Sequence, residues 1–319
     1  MKRIACMILC LILLFSMTAC SFAESAPVRV AALKGPTAMG MVQMIRDRAG
    51  SYDFTLAASA DEITPALIQG KLDIAAVPAN LAAVLYNNTE GKIRVLAINT
   101  LGVLYIAERG DLVHSVADLR GKTLYTAGKG STPEYALNYI LRANGIDPEK
   151  DLTIEFKSEH AECLAALLNN PDAVAMLPQP FATVAQSKAP DMRIALDLNA
   201  EWDALQANRE NPSALITGVT VARTEWIEQN PEAVKAFLND YAESIGFTQE
   251  NPAEAAALIG EYGIFEAAVA EKALPACNIT FIASDEMRIR LTGYLAELYD
   301  QDPASVGGKL PDDGLCYVD

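Results

Sequence analysis

The chain has 319 residues, 51% of them apolar, with 41 acidic against 25 basic side chains and a formal net charge of −16. That length is more than one compact core usually organises and points to two domains of ordinary size. The acidity argues against nucleic acid as a partner, because binding to phosphate rests on basic patches that release counterions.

Lys2 and Arg3 precede an apolar run over 4–15 and then Ser16-Met17-Thr18-Ala19-Cys20, the layout of a secretory signal peptide. Its apolar core, about 12 residues, falls short of the roughly 20 that a membrane-crossing helix needs. Thr18 and Ala19 before Cys20 resemble a bacterial lipobox, with Met17 where Leu is usual. On that reading 1–19 leaves as the leader, Cys20 takes the lipid, and 20–26 is a linker. The fold is then tethered to a membrane surface without inserting into it. Cleavage after Ala23, in Ser21-Phe22-Ala23, is the competing reading. Either way the mature chain is expected outside the cytoplasm, with a net charge of about −18 once Lys2 and Arg3 are gone. Cys6 and Cys10 leave with the leader, and Cys163, Cys277 and Cys316 can form one disulfide at most. With no C-x-x-C and only His114 and His160, neither a metal site nor a cofactor is expected.

From Val28 onward, short β-branched runs alternate with helical stretches, the pattern of parallel α/β layers. Strands are predicted over 28–33, 54–58, 73–77 and 93–98, with helices over 41–48, 62–69 and 81–86 between them. A second set follows: strands at 103–108, up to Tyr125, 152–156, 173–177 and 194–198, with helices over 133–144, 161–169 and 181–188. After a loop at 208–212 comes a strand over 215–222. The remainder reads as almost wholly helical, most clearly over 231–245, 252–262 and 285–299. A helical tail cannot bury its apolar face alone, so it is expected to return to the first unit. That gives a discontinuous lobe 1 (27–101 plus 218–319) and an inserted lobe 2 (102–217), crossing near 100–102 and 217–218. Two crossings make a hinge, with a cleft between the lobes.

Candidate contacts lie where strands end and helices begin, because unpaired backbone N–H groups there point into the cleft. Gly35-Pro36-Thr37-Ala38-Met39-Gly40 follows the first strand, and Gly128-Lys129-Gly130-Ser131-Thr132-Pro133-Glu134-Tyr135 occupies the corresponding place in lobe 2. Both also suit plain helix starts, by capping and by proline in the first turn. Neither is a Walker or dinucleotide fingerprint. Glu159 and His160 open another lobe 2 helix, where a cap or surface role competes with ligand contact. Tyr105, Tyr135 and Phe181 suit either stacking on a planar ligand or core packing. Glu225, Trp226 and Glu201-Trp202-Asp203 read as packing and solvated helix positions.

The first-strand loop, Leu72-Asp73-Ile74-Ala75 with Pro78, Ala117-Asp118-Leu119-Arg120-Gly121-Lys122, Gly130-Ser131-Thr132-Pro133 and Leu177-Pro178-Gln179-Pro180-Phe181 together resemble the extracytoplasmic solute-binding proteins of ABC importers, in the nitrate, sulfonate, taurine and thiamine-precursor superfamily. The resemblance covers essentially the whole mature chain. It implies a two-lobed type II periplasmic-binding fold and a monomer that captures a small molecule without catalysis and hands it to a permease and ATPase. It implies contacts from Thr37, Ala38, Met39 and Gly40, from Pro78 and Asn80, from Ser131 and Thr132, and from Gln179 and Phe181. Members often carry an acidic residue before the second proline of the last motif. Gln179 stands there, which argues against a cationic ligand group at that spot. Two alternatives share the architecture: an enzyme of pyrimidine-precursor synthesis or dehydratase type, and a sensor for a membrane partner. Export, and the lack of a cysteine cluster or a Ser-His-Asp order, weigh against the enzyme. Between an anion and a neutral heterocycle the sequence does not choose.

Overall fold

The computed structural model describes residues 26–209 and 212–318. The expected leader, lipidation at Cys20 and the alternative cleavage after Ala23 lie outside the described residues. Eleven strands are formed: β1 (Val28–Leu33), β2 (Tyr52–Ala57), β3 (Ile74–Pro78), β4 (Ile93–Leu101), β5 (Leu104–Arg109), β6 (Thr123–Thr126), β7 (Thr153–Phe156), β8 (Val174–Pro178), β9 (Met192–Asp197), β10 (Ile216–Arg223) and β11 (Ile279–Ala283). They build two sheets, in the orders β11-β4-β10-β3-β1-β2 and β7-β6-β8-β5-β9. The chain is thus a two-lobed α/β fold of the type II periplasmic-binding class.

The expectation of parallel layers holds for only part of each sheet. β1 runs parallel to β2 and β3, and β6 parallel to β7 and β8. β10 runs antiparallel to both β3 and β4, and β5 antiparallel to β8 and β9. The crossings explain this. β4 ends at the cleft and passes through residues 102–103 straight into β5, and β10 re-enters the first sheet from the same side, so each arriving strand runs against its neighbours. Ile216 already pairs with Leu101, and the Thr217 hydroxyl donates to the Leu101 carbonyl at 2.5 Å, so the first sheet takes up the returning chain before residue 217.

Two elements depart from the sequence expectation. The C-terminal third is not wholly helical: Ile-Thr-Phe-Ile-Ala of β11 covers the open edge of β4, from Ile279↔Thr100 to Ala283↔Ala97, with residue types that suit a pleated surface. Helix Leu198–Gln206, outside the predicted set, starts at Asp197, whose side chain accepts from the backbone N–H of Asn199 and Ala200.

The helical tail does return to the first sheet. Phe237, Tyr241 and Ile245 of helix Pro231–Glu250 and Ile259 of helix Pro252–Glu261 bury with Val30, Met39 and Met44. Two of the sequence motifs serve structure. Buried Asp73 accepts from Arg29 through its backbone N (3.1 Å), Nε (2.9 Å) and Nη2 (2.6 Å), and from Arg223 Nη2 (3.1 Å), joining β1, β3 and β10. Burial pushes its pKa up, but the hydrogen bonds from the two arginines outweigh it and hold the carboxylate below its usual range. Asp118 forms a capping box with Ser115. Cys163, Cys277 and Cys316 are free and buried. Among the described residues no helix is long and apolar enough to cross a membrane.

Candidate ligand cleft

The strands β1, β3, β4 and β8 all end around one cavity of about 270 Å³. Lobe 1 contributes the segment from Leu33 to Thr37, together with Pro78, Thr100 and Phe265. Lobe 2 contributes Gly128, Ser131 to Pro133, His160 and Pro178 to Phe181, with Val103, Leu104 and Thr217 at the crossings. Among the described residues no aspartate or glutamate lines it, and the one charged lining side chain, Lys34, is exposed.

Four helices begin at this cavity: Ala79–Asn88 after Pro78, Thr132–Ala143 after Ser131, His160–Asn169 after Glu159 and Phe181–Lys188 after Pro180. In none of them does the N-cap side chain accept a cap hydrogen bond. The first N–H groups of a helix have no intrahelical acceptor, and the dipole adds positive potential there. First-turn Glu134 and Glu162 accept from Gly130 N and Ser158 N, and Gln179 Oε1 takes the Thr183 N–H, but among the described residues no carboxylate lines the cavity itself, so the converging starts favour an acceptor-bearing or anionic group there.

The lining hydroxyls have a common habit. Thr37 donates to the Leu33 carbonyl at 2.9 Å, Ser131 to the Gly128 carbonyl at 2.7 Å, Thr100 to Asn99 Oδ1 at 2.9 Å and Thr132 to Asn80 Oδ1 at 3.1 Å. With the Thr217 bond, all five direct their protons into the protein. Gln179 does the reverse: its Oε1 accepts from Thr183 N (3.2 Å) and Thr183 Oγ1 (2.8 Å), and its own backbone N–H donates to the Val103 carbonyl. The Gln179–Pro180 peptide is cis.

One wall is aromatic. The His160 ring lies 5.6 Å from that of Phe181, which meets Phe265 of lobe 1 edge-on at 5.6 Å and 86°. Burial lowers the His160 pKa to about 4, and its Nδ1 has no hydrogen-bond partner. The ring is therefore neutral near pH 7. Gly35, at φ 135, is buried, and a Cβ there would meet nothing within 4 Å.

Of the sequence candidates, the cavity gathers Thr37, Pro78, Ser131, Thr132, His160, Gln179 and Phe181. Asn80 lies one layer behind, buried, accepting from Thr132 and donating through Nδ2 to the Ser305 carbonyl at 3.3 Å. Ala38 and Met39 are fully buried in the lobe 1 core, and a Cβ on Gly40 would fall 3.0 Å from Ile245. These three anchor the loop whose other end faces the cavity. Tyr135 packs half-buried against the core, and Glu159 is exposed, outside the lining. Tyr105 is buried, its hydroxyl donating to the Ala276 carbonyl across the lobes at 3.0 Å. Sequence reading missed Thr100 and Thr217, which their place at the expected crossings could have flagged. It also missed Phe265, which follows the helix Pro252–Glu261 and carries no local signal of a cleft.

Two lobes of α/β type, joined at a double crossing around a cavity at strand ends, define a solute-binding protein of the periplasmic class. Over residues 48–272 the chain matches the family described as ABC transporter, phosphonate, periplasmic substrate-binding protein, and it belongs to that family. Among solved structures it is similar to an ABC transporter protein from Parabacteroides distasonis, at 25% identity and TM-score 0.78, covering 92% of this chain and 99% of that one. It is also similar in fold to the aliphatic sulphonate binding protein SsuA of Escherichia coli (17% identity, TM-score 0.70, 90% and 94% covered). The nitrate-binding protein NrtA of Synechocystis is a third such neighbour (16%, TM-score 0.63, 88% and 82% covered). Among curated proteins, none matches this sequence.

Proposed function

We propose that this chain is the extracytoplasmic, lipid-anchored solute-binding subunit of an ABC importer. It captures a small organic or anionic solute in the interlobe cavity and delivers it, as a monomer, to a membrane permease. Lobe 1 (27–101 plus 218–319) and lobe 2 (102–217) move about the two crossings. Thr37, Pro78, Ser131, Thr132, His160, Gln179 and Phe181 contact the solute, and Cys20 carries the anchor. The observation that carries this reading is the cavity itself, lined by no carboxylate among the described residues and faced by four helix starts, with walls from both lobes. A solute touching both walls binds the closed arrangement better than the open one and shifts the population toward it.

The side-chain chemistry favours binding over catalysis. Ser131 directs its proton to a backbone carbonyl and not to a base. Burial pushes the thiols of Cys163 and Cys316 up to about 11 and that of Cys277 to about 12, so none is a thiolate nucleophile near pH 7.

The test is a thermal-shift screen of the processed protein against sulfonates, phosphonates, nitrate, carboxylates and pyrimidines, followed by small-angle scattering with the best binder. A binder of the folded state raises Tm, and the reading expects compaction on binding. A tight binder that leaves the scattering profile unchanged would overturn closure. Retention of membrane association by Cys20→Ala would overturn the lipid anchor.

A further inference from the structure

Gln179 is only 4% exposed, yet it lines the cavity. An amide can be placed either way round, but here the choice is fixed: the Thr183 backbone N–H can only donate, so the oxygen faces Thr183 and the Nε2 group faces away from it. That NH2 carries two protons, and among the described residues no acceptor receives them. Thr100 and Thr132, the other lining polar side chains buried to the same degree, both spend their protons on asparagine oxygens. Gln179 is therefore the one buried lining side chain among the described residues with uncommitted donors. Nε2 is not one of the sealed polar atoms without a partner among the described residues, so it is open to the cavity it lines, and its acceptor would come from there.

We propose that Gln179 sets the specificity of the cleft: its Nε2 group, oriented by Thr183, selects solutes whose head group offers a hydrogen-bond acceptor, anionic or neutral, and rejects ammonium head groups. This rests on the cleft being the solute site. Rejection follows from the same geometry, because an ammonium would face two N–H protons and helix N-termini with no carboxylate among the lining residues.

The test is calorimetry of the processed protein at pH 8 with butane-1-sulfonate, butyramide and butylammonium, which pair different head groups with one tail. The expected result is binding of the sulfonate and the amide, and none of butylammonium. Gln179→Leu should weaken both acceptor-headed probes by about 10- to 100-fold, the scale of losing a hydrogen bond to a buried or charged partner. Gln179→Glu should lose the sulfonate and gain butylammonium. Thr183→Val, which keeps the amide but removes one of its two anchors, should weaken the sulfonate by less than Gln179→Leu, and it carries the test if that variant melts early. Wild-type binding of butylammonium as tightly as the sulfonate would overturn the proposal, as would Gln179→Leu and Gln179→Glu variants that bind like wild type. Thr37→Trp, which fills the cavity, separates the two levels. If it abolishes binding while the Gln179 variants change nothing, the cleft reading stands and the Gln179 inference falls. Failure of every probe to bind wild type, or binding untouched by Thr37→Trp, overturns both.

Discussion

The lobes meet in two regions along one helix, Thr132–Ala143, and the two are built differently. About 10 Å down the helix from Thr132, Tyr139 stacks on Trp202 at 4.3 Å, and Trp202 in turn packs against Tyr294 of the C-terminal helix Ser284–Gln301 at 5.5 Å. Most polar groups around this clasp find partners: Trp202 Nε1 donates to Ser213 Oγ (3.2 Å), Gln206 Nε2 to the Tyr139 hydroxyl (2.6 Å) and Ser213 N to Gln206 Oε1 (3.0 Å), while Arg209 pairs with Glu297; the buried Tyr294 hydroxyl is the exception. At the cleft the contacts are sparse. Two hydrogen bonds, Thr132 to Asn80 and Tyr105 to the Ala276 carbonyl, and one aromatic edge, Phe181 to Phe265, cross between the lobes there, while among the described residues Gln179 Nε2 and His160 Nδ1 have no protein partner. A deeply buried and largely satisfied contact persists. A sparse one with unspent polar groups is suited to exchange protein contacts for a solute.

The largest expected effect lies in the clasp. Trp202 is fully buried, and Trp202→Ala should lower unfolding free energy by about 3–5 kcal/mol, as large-to-small core changes do. Equilibrium denaturation in urea measures it. Affinity for a cleft ligand, measured where the variant stays folded, should change little because Trp202 does not line the cavity. A loss below about 1 kcal/mol, smaller than buried aromatics give, would erase the contrast between the two regions.

Acid should act on the cleft side. Burial lowers the His160 pKa from 6.5 to about 4. Between those values the unfolded chain binds the proton and the folded one does not, so the contribution is complete above pH 6.5 and is lost as pH falls toward 4. At 1.36 kcal/mol per unit the loss is at most about 3 kcal/mol, and partial solvent access reduces it. In stability curves measured from pH 7 to 4, wild type should fall relative to His160→Phe toward the acid end. Parallel curves would mean that His160 titrates alike in the folded and unfolded states.

Most of the strands, the double crossing and the helix-start loops were legible in the sequence, because apolar periodicity and glycine-proline punctuation report local backbone directly. Strand direction was not, since antiparallel β10 depends on where the chain re-enters the first sheet. β11 was hidden among helices because five residues of β character count only once β4 offers an edge. For the site, residues named for the loop they sit in divided by depth: Thr37 reached the cavity while Ala38, Met39 and Gly40, on the same turn, face the core. Local spacing cannot tell which end of a loop is the anchor. Gln179 was visible as a departure from the acidic residue common at its place, but its orientation required Thr183.

The smallest expected effect tests the sparse contact directly. Phe265 reaches the cleft from lobe 1 and touches Phe181 of lobe 2 by its edge. An aromatic pair of this geometry is worth about 0.5–1.5 kcal/mol beyond its buried area, so Phe265→Ala should cost little in global unfolding. Its consequence should appear in the unliganded ensemble. With the edge contact gone, the cleft keeps the Thr132–Asn80 and Tyr105–Ala276 bonds and the crossings, and small-angle scattering should show a larger radius of gyration than wild type, with saturating ligand restoring compaction. Phe265→Leu, which refills part of the volume without the ring edge, should fall between the two. If Phe265→Ala instead unfolds as readily as Trp202→Ala, the aromatic wall belongs to the permanent core, and the division between a fixed clasp and an exchangeable cleft is misplaced.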